Sequence, residues 1–198
     1  MVFVVNKDLP VNNMKEFISY AKANPGKLNF STVGAGSLGY LGAETFNAMA
    51  NTKIVHVPYK GSPQALSALL AGEVQMYLVA SASSVVPLVR ANKVKALGVS
   101  IDTRLAVLPQ VPTVAETLQG FDVGGWNGIL APVGTPDAII NRLQSEIAKA
   151  VRSPQLTKIF ENEGAIGLAN TPAEFEKIIH RDIERWAKLL TEMGVQKE

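Results

Sequence analysis

The chain has 198 residues, enough for one large domain or two small ones, and its 47% hydrophobic and 18% charged content suits a globular protein with a substantial core. A net charge of +2, with the basic residues scattered, argues against a nucleic-acid partner. With no cysteine there are no disulfides or thiolate metal sites, and no apolar run reaches the ~18 residues of a membrane span.

Residues 2–5, Val-Phe-Val-Val, read as a strand directly after Met1, too short for a signal-peptide core. A chain that opens on a strand is expected to be a processed or shortened piece of something longer. Asn12 or Asn13 then caps a helix with Met14, Phe17, Ile18 and Ala21 on one face, stopped by Asn24-Pro25-Gly26. A strand at 27–30 enters a turn of small residues, and a helix carrying Leu41, Phe46 and Met49 leaves it. Strand 53–57 leads through Tyr59-Lys60-Gly61 to a helix with Ser62 expected at the N-cap and Pro63 at N1. Strand 74–79, a Ser-rich turn, a short helix at 85–91 and strand 94–99 complete the first half. This alternation predicts an α/β fold with a parallel-dominated sheet covered by helices on both faces.

Beyond Ser100 the texture changes. Pro109 and Pro112 keep 104–112 irregular, a short helix is expected at 114–118, and 123–131 reads as extended through Trp126. Three helical patterns follow, opened by Thr135-Pro136, Ser153-Pro154 and the capping box Thr171-Pro172-Ala173-Glu174. Their apolar faces, with Ile139, Leu143, Phe160, Ile179 and Trp186 among them, exceed what one strand can cover. They must pack on the first region, on a partner chain or on a segment absent here.

The most informative stretch is Ser31-Thr32-Val33-Gly34-Ala35-Gly36-Ser37-Leu38-Gly39. A strand, a small-residue turn and a helix N-terminus make an anion site, because the first helical amides lack internal partners and the helix dipole adds positive charge. Glycines let a ligand approach the backbone, and the Ser and Thr hydroxyls offer further hydrogen bonds. The spacing Gly34-x-Gly36-x-x-Gly39 also fits a dinucleotide fingerprint. Two features count against that reading. The entering strand is polar, and the acidic residue needed about 20 positions on is missing, since the next strand ends in Pro58-Tyr59-Lys60-Gly61. Close strand–helix packing alone would explain the glycines but not the hydroxyls beside them.

Catalytic chemistry finds little support. His56 lies mid-strand, and His180 sits on a charged helical face. Two histidines without cysteine give no zinc spacing, and no serine sits in a Gly-x-Ser-x-Gly elbow. Neither a catalytic residue nor a metal or cofactor is expected.

Seven ordered motifs carry a resemblance over essentially the whole chain. They are Asn24-Pro25-Gly26-Lys27-Leu28-Asn29-Phe30, the Gly34-Ala35-Gly36-Ser37 turn with His56-Val57-Pro58-Tyr59-Lys60-Gly61-Ser62, Leu70-Ala71-Gly72-Glu73-Val74-Gln75, Lys93-Val94-Lys95-Ala96-Leu97-Gly98-Val99, Val111-Pro112-Thr113-Val114-Ala115-Glu116 and Leu130-Ala131-Pro132-Val133-Gly134-Thr135-Pro136. Together they resemble the Bug-type solute-binding proteins of tripartite tricarboxylate transporters. The resemblance implies a periplasmic location, a two-lobed type II binding-protein fold and a small organic acid as ligand, with transporter subunits in the membrane as partners. Family members are longer at the N-terminus, so residues 1–122 are expected to form one nearly complete ligand-binding lobe. Residues 123–198 are then the C-terminal portion of a second lobe.

By motif, the implied ligand contacts are Ser31, Thr32, Gly34, Ala35, Gly36 and Ser37, then Tyr59, Lys60 and Gly61, and Ser81 after the next strand. Many relatives place a polar pair such as Asp-Asn where this chain has Ala80-Ser81-Ala82-Ser83. Without a carboxylate there, a plain carboxylic acid is favoured over an amino acid. Two other readings stay open: a nucleotide-dependent oxidoreductase using the Gly34–Gly39 turn, and a homo-oligomeric remnant that binds nothing.

Overall fold

A computed structural model of the chain describes residues 1–192. Strands β1 (Val2–Asn6), β2 (Asn29–Thr32), β3 (Val55–Pro58), β4 (Met76–Val79) and β5 (Val94–Val99) form one sheet in the order β3-β2-β4-β1-β5. β2 pairs in parallel with both β3 and β4, whereas β1 lies antiparallel between β4 and β5. Four strands therefore share one direction and β1 opposes them. Apolar patterning fixes which residues face the core but not the direction of a strand, so strand–helix alternation alone could not reveal the reversal. The register sets Val2 against both Val79 and Val99, which brings the start of β1 to the carboxyl edge of its neighbours.

The sheet is covered on both faces, as the alternation implies. Phe3 of β1 meets Phe17 of α1 (Met14–Ala23) at 5.2 Å and Phe46 of α2 (Leu38–Ala50) at 5.0 Å between ring centroids. On the opposite face Val2 and Val4 pack with Ala65, Ala68 and Leu69 of α3 (Ser62–Ala71) and with Val85 and Val86 of α4 (Ala82–Arg90). Phe3, Phe17, Phe46 and Phe121 are all fully buried. Burying a phenylalanine contributes about 1.5–3 kcal/mol, and edge or offset ring pairs add about 0.5–1.5 kcal/mol each.

Local signals set the helix ends. Asn13, not Asn12, caps α1 by accepting from the Glu16 amide at 2.9 Å, while Glu16 accepts from the Asn12 amide at 2.7 Å. Helix α3 begins one residue earlier than its sequence suggests: Gly61 is the N-cap, and Ser62 and Pro63 fill the first two helical positions. Proline fits either of those positions because neither amide has an intrahelical acceptor. The expected helix at 114–118 is a 3-10 turn, Val114–Glu116, closed by a capping box between Thr113 and Glu116. The chain then returns to β5, where the Val123 amide donates to the Ser100 carbonyl at 2.7 Å.

The chain divides into two compact units. One comprises Met1–Trp126 with Asn162–Gly164, and the other comprises Asn127–Glu161 with the described residues from Ala165 onward. The second unit takes in α5 (Asp137–Val151), most of α6 (Pro154–Glu163) and α7 (Pro172–Glu192). The expected capping box opens α7, with the Thr171 amide donating to Glu174 at 2.8 Å and the Glu174 amide to Thr171 Oγ1 at 3.3 Å.

Candidate functional site: a row of helix N-termini at the carboxyl edge of the sheet

Because β2, β3 and β4 are parallel neighbours, the turns that follow them emerge side by side at one edge, and each opens a helix. Residues 33–37 lead into α2, Tyr59-Lys60-Gly61 into α3, and Ala80-Ser81 into α4. Three dipole ends and three sets of first-turn amides thus face the same side.

The β2 turn is the most open of the three. Gly34 and Gly36 have φ of +126° and +80°, a region where a side chain is strained, and open space surrounds both. Gly39 is different: it lies within α2, and a Cβ there would make an ordinary contact, 3.4 Å from the Leu78 carbonyl. Ser37 is the N-cap of α2, accepting from the Tyr40 amide at 3.3 Å and donating to the Gly34 carbonyl at 2.8 Å. The Gly34 amide donates to Thr32 Oγ1 at 3.0 Å, and the Ser37 amide to the Gly34 carbonyl at 3.3 Å. That leaves the amides of Ala35, Gly36, Leu38 and Gly39 without an acceptor among the described residues. Ala35 and Gly36 are exposed, and Leu38 and Gly39 are half-buried.

The hydroxyls expected beside the glycines are in place but largely engaged. Ser31 is buried in β2 and donates to the Ala65 carbonyl of α3 at 3.3 Å. Thr32 is also buried, and its Oγ1 lies 2.6 Å from His56 Nε2. A sequence shows that a hydroxyl is present but not whether it faces a ligand or the core. At the second turn, the Tyr59 amide donates to the Thr32 carbonyl at 2.9 Å, which ties the β3 turn to the β2 turn. Burial, then the Glu73 carboxylate that its hydroxyl faces, raises the Tyr59 pKa above the usual phenol value. Lys60 is exposed, and Gly61 has an extended backbone with φ of 179°.

The third turn holds a residue that sequence reading missed. The Glu163 carboxylate accepts from the hydroxyls of both Ser81 and Ser83, the latter at 2.9 Å. Those two hydrogen bonds, Ser81 first, hold its pKa below the usual carboxylate range. The turn after β4 therefore does have a carboxylate, supplied from 82 positions away rather than by its own residues. Gly164 makes this approach feasible. Its φ is +66°, and a Cβ there would come within 2.9 Å of Ala82 Cβ and 3.0 Å of Leu105 Cδ1. A glycine beside an acidic residue at a helix end was the only local signal.

Elsewhere along the edge, His56 packs against both Phe30 and Tyr40, at 5.2 and 4.8 Å between ring centroids, and burial lowers its pKa. Among the described residues no cluster of three or more His, Cys, Asp or Glu side chains is arranged to hold a metal ion. No described helix is long and apolar enough to cross a membrane.

Comparison with known proteins identifies the family. The model of the tripartite tricarboxylate transporter family receptor matches residues 1–195. A curated relative from Pseudomonas sp. strain P51, a UPF0065 protein in the tcbD-tcbE intergenic region, is 37% identical over 193 residues, 96% of this chain and 57% of its own length. Among solved structures, Rpa4515 of R. palustris with adipate superimposes with a TM-score of 0.87 at 31% identity, covering 98% of this chain and 64% of that one. The periplasmic binding protein BugD gives 0.85 at 28% identity, covering 100% and 67%. MatC (Rpa3494) from Rhodopseudomonas palustris with bound malate gives 0.82 at 30% identity, covering 96% and 65%. The chain thus spans 57% of that curated relative, and the fold is that of these binding proteins. They bind solutes rather than transform them, which leaves the oxidoreductase reading of the glycine turn without support. From its first residue nearly to its last, the chain belongs to the tripartite tricarboxylate transporter receptor family.

Proposed function

We propose that this chain captures a small organic acid for a tripartite tricarboxylate-type uptake transporter, acting in the periplasm and delivering its ligand to membrane subunits. One observation carries the reading: four amides, of Ala35, Gly36, Leu38 and Gly39, lie unpaired at the carboxyl edge of the sheet. A carboxylate is the natural occupant, since its two oxygens accept several hydrogen bonds and its charge suits a helix N-terminus. Adipate and malate, named with two of the related structures, are dicarboxylates of this class.

In this reading Gly34, Ala35, Gly36 and Ser37 contact the carboxylate, and Ser31 and Thr32 hold the turn in shape. Tyr59, Lys60 and Gly61 flank it, with Lys60 as the candidate cation, and Ser81 contributes once its hydroxyl is released by Glu163. Residues 1–122 act as the ligand lobe and 123–198 as the C-terminal portion of a second. One helix end is worth about 0.3–1 kcal/mol per charge, against about 8 kcal/mol for micromolar affinity. Several convergent donors and further enclosure are therefore required. Thermal melting with adipate, malate, citrate and NAD tests the proposal. Stabilisation by one or more of the acids is expected, and stabilisation by NAD alone would overturn it.

Exposed apolar residues favour self-association as a second property. Ile139, Leu143, Ile159 and Ile183 are 50, 49, 46 and 60% exposed. Light scattering after size-exclusion chromatography should then show a homo-oligomer, and a monomer at all concentrations would remove this reading.

A further inference from the structure

The Thr32 hydroxyl has one proton to give and two lone pairs to offer. One lone pair takes the Gly34 amide proton at 3.0 Å. Two acceptors compete for the hydroxyl proton: the Gly34 carbonyl at 3.3 Å and His56 Nε2 at 2.6 Å. The carbonyl already receives the Ser37 hydroxyl at 2.8 Å and the Ser37 amide at 3.3 Å, which fills both its lone pairs. The proton therefore goes to the imidazole, so Nε2 must be bare and Nδ1 must carry the ring proton.

Nothing in this arrangement lets the ring drift. His56 sits directly opposite Phe30 in the parallel β2–β3 register and stacks on it, and Tyr40 of α2 touches both rings, so the three form one aromatic cluster. We propose that neutral His56, as the Nδ1-protonated tautomer, is the positioning residue of the 33–37 turn: by taking the Thr32 proton it fixes the Thr32 oxygen as the acceptor that anchors the Gly34 amide. With Gly34 held, the Ala35 and Gly36 amides behind it keep their outward aim. The consequence for binding rests on the carboxylate reading above, whereas the consequence for the turn does not.

Protonation of His56 would reverse the contact. Nε2–H would then donate to Thr32, whose own proton would face a carbonyl already supplied with two donors. Burial lowers the His56 pKa, so the neutral form dominates at neutral pH. The titratable groups packed against it are the Tyr40 phenol and, coupled to Tyr40, the Glu44 carboxylate; burial holds both above their usual values. Phe30 and Thr32 from β2 carry no charge.

The test uses the 198-residue chain. Imidazole nitrogen NMR of the unaltered protein should show His56 with Nδ1 protonated and Nε2 bare; a proton on Nε2 at neutral pH would overturn the inference. His56→Phe keeps the ring stack and loses the acceptor, whereas His56→Gln restores an acceptor at the reach of Nε2. Exchange of the Gly34 amide should be about tenfold faster in His56→Phe and within about threefold of wild type in His56→Gln, the scale of one hydrogen bond. Adipate affinity should fall and recover in the same pattern. Unchanged Gly34 exchange in His56→Phe would overturn the inference even if adipate binds. If adipate binds no variant but the tautomer and exchange results hold, the positioning role stands and the ligand reading falls. The tautomer decides the matter even if His56→Phe does not fold.

Discussion

The two units of this chain were written with similar apolar periodicity and ended with different interiors. In the first, a five-stranded sheet between two helical layers buries Phe3, Phe17, Phe46, Leu69 and Leu97 almost completely. In the second, Ala148 and Asp182 are the only buried positions among the described residues. Its tight contacts include glycines set against larger side chains, Gly128 against the Phe175 ring and Gly167 against Phe160 and Val151. Amphipathic pattern therefore announces that a helix has a face to cover but not that the chain itself covers it. The first unit carries the edge where three helix ends meet, so the candidate site stands on the part with its own core.

This contrast can be broken by mutation, and the largest effect should come from the core. Phe46→Ala is expected to cost about 3–5 kcal/mol of stability, whereas Leu143→Ala on half-exposed α5 should cost less than about 1 kcal/mol. Urea denaturation of both variants makes the comparison, and equal losses would mean that the second unit has a core of its own. Next comes the turn. Gly36→Ala forces a side chain into the left-handed region and should cost about 1–2 kcal/mol, with weaker adipate binding by calorimetry.

A smaller effect is expected at Glu163. Replacing it with glutamine leaves Ser81 and Ser83 hydrogen-bonded but removes a negative charge from the β4 turn. Dicarboxylate affinity should rise a few-fold, and an unchanged value would place Glu163 outside the field of the bound acid. The smallest effect is on pH dependence. The folded-state pKa of His56 is below its unfolded value, so the unfolded chain binds more protons between the two. Stability attributable to His56 is thus present above the ordinary histidine pKa and lost as pH falls through it toward the folded value. In His56→Gln, urea midpoints should change less between neutral and mildly acidic pH than in wild type.

Much of this was legible in the sequence, for identifiable reasons. Strand–helix alternation, the Asn24-Pro25-Gly26 stop and the Thr171 capping box are local codes, and each appears where it is written. The direction of β1 is not local: it depends on which strands flank it, and Val2 to Val5 reads the same both ways. The glycine turn was visible because Gly34 and Gly36 are needed for backbone geometry. The occupation of Ser81 by Glu163 was not, since it joins residues brought together only by α6 and its closing glycine. The role of His56 likewise required the Thr32 contact, which no spacing encodes.

Amide NMR during an adipate titration tests, residue by residue, the proposal that unpaired amides at the tip of β2 grip a carboxylate. The Ala35, Gly36, Leu38 and Gly39 resonances should move together and saturate, with those of the second unit's helices nearly still. Saturable binding that leaves these four resonances in place would contradict it.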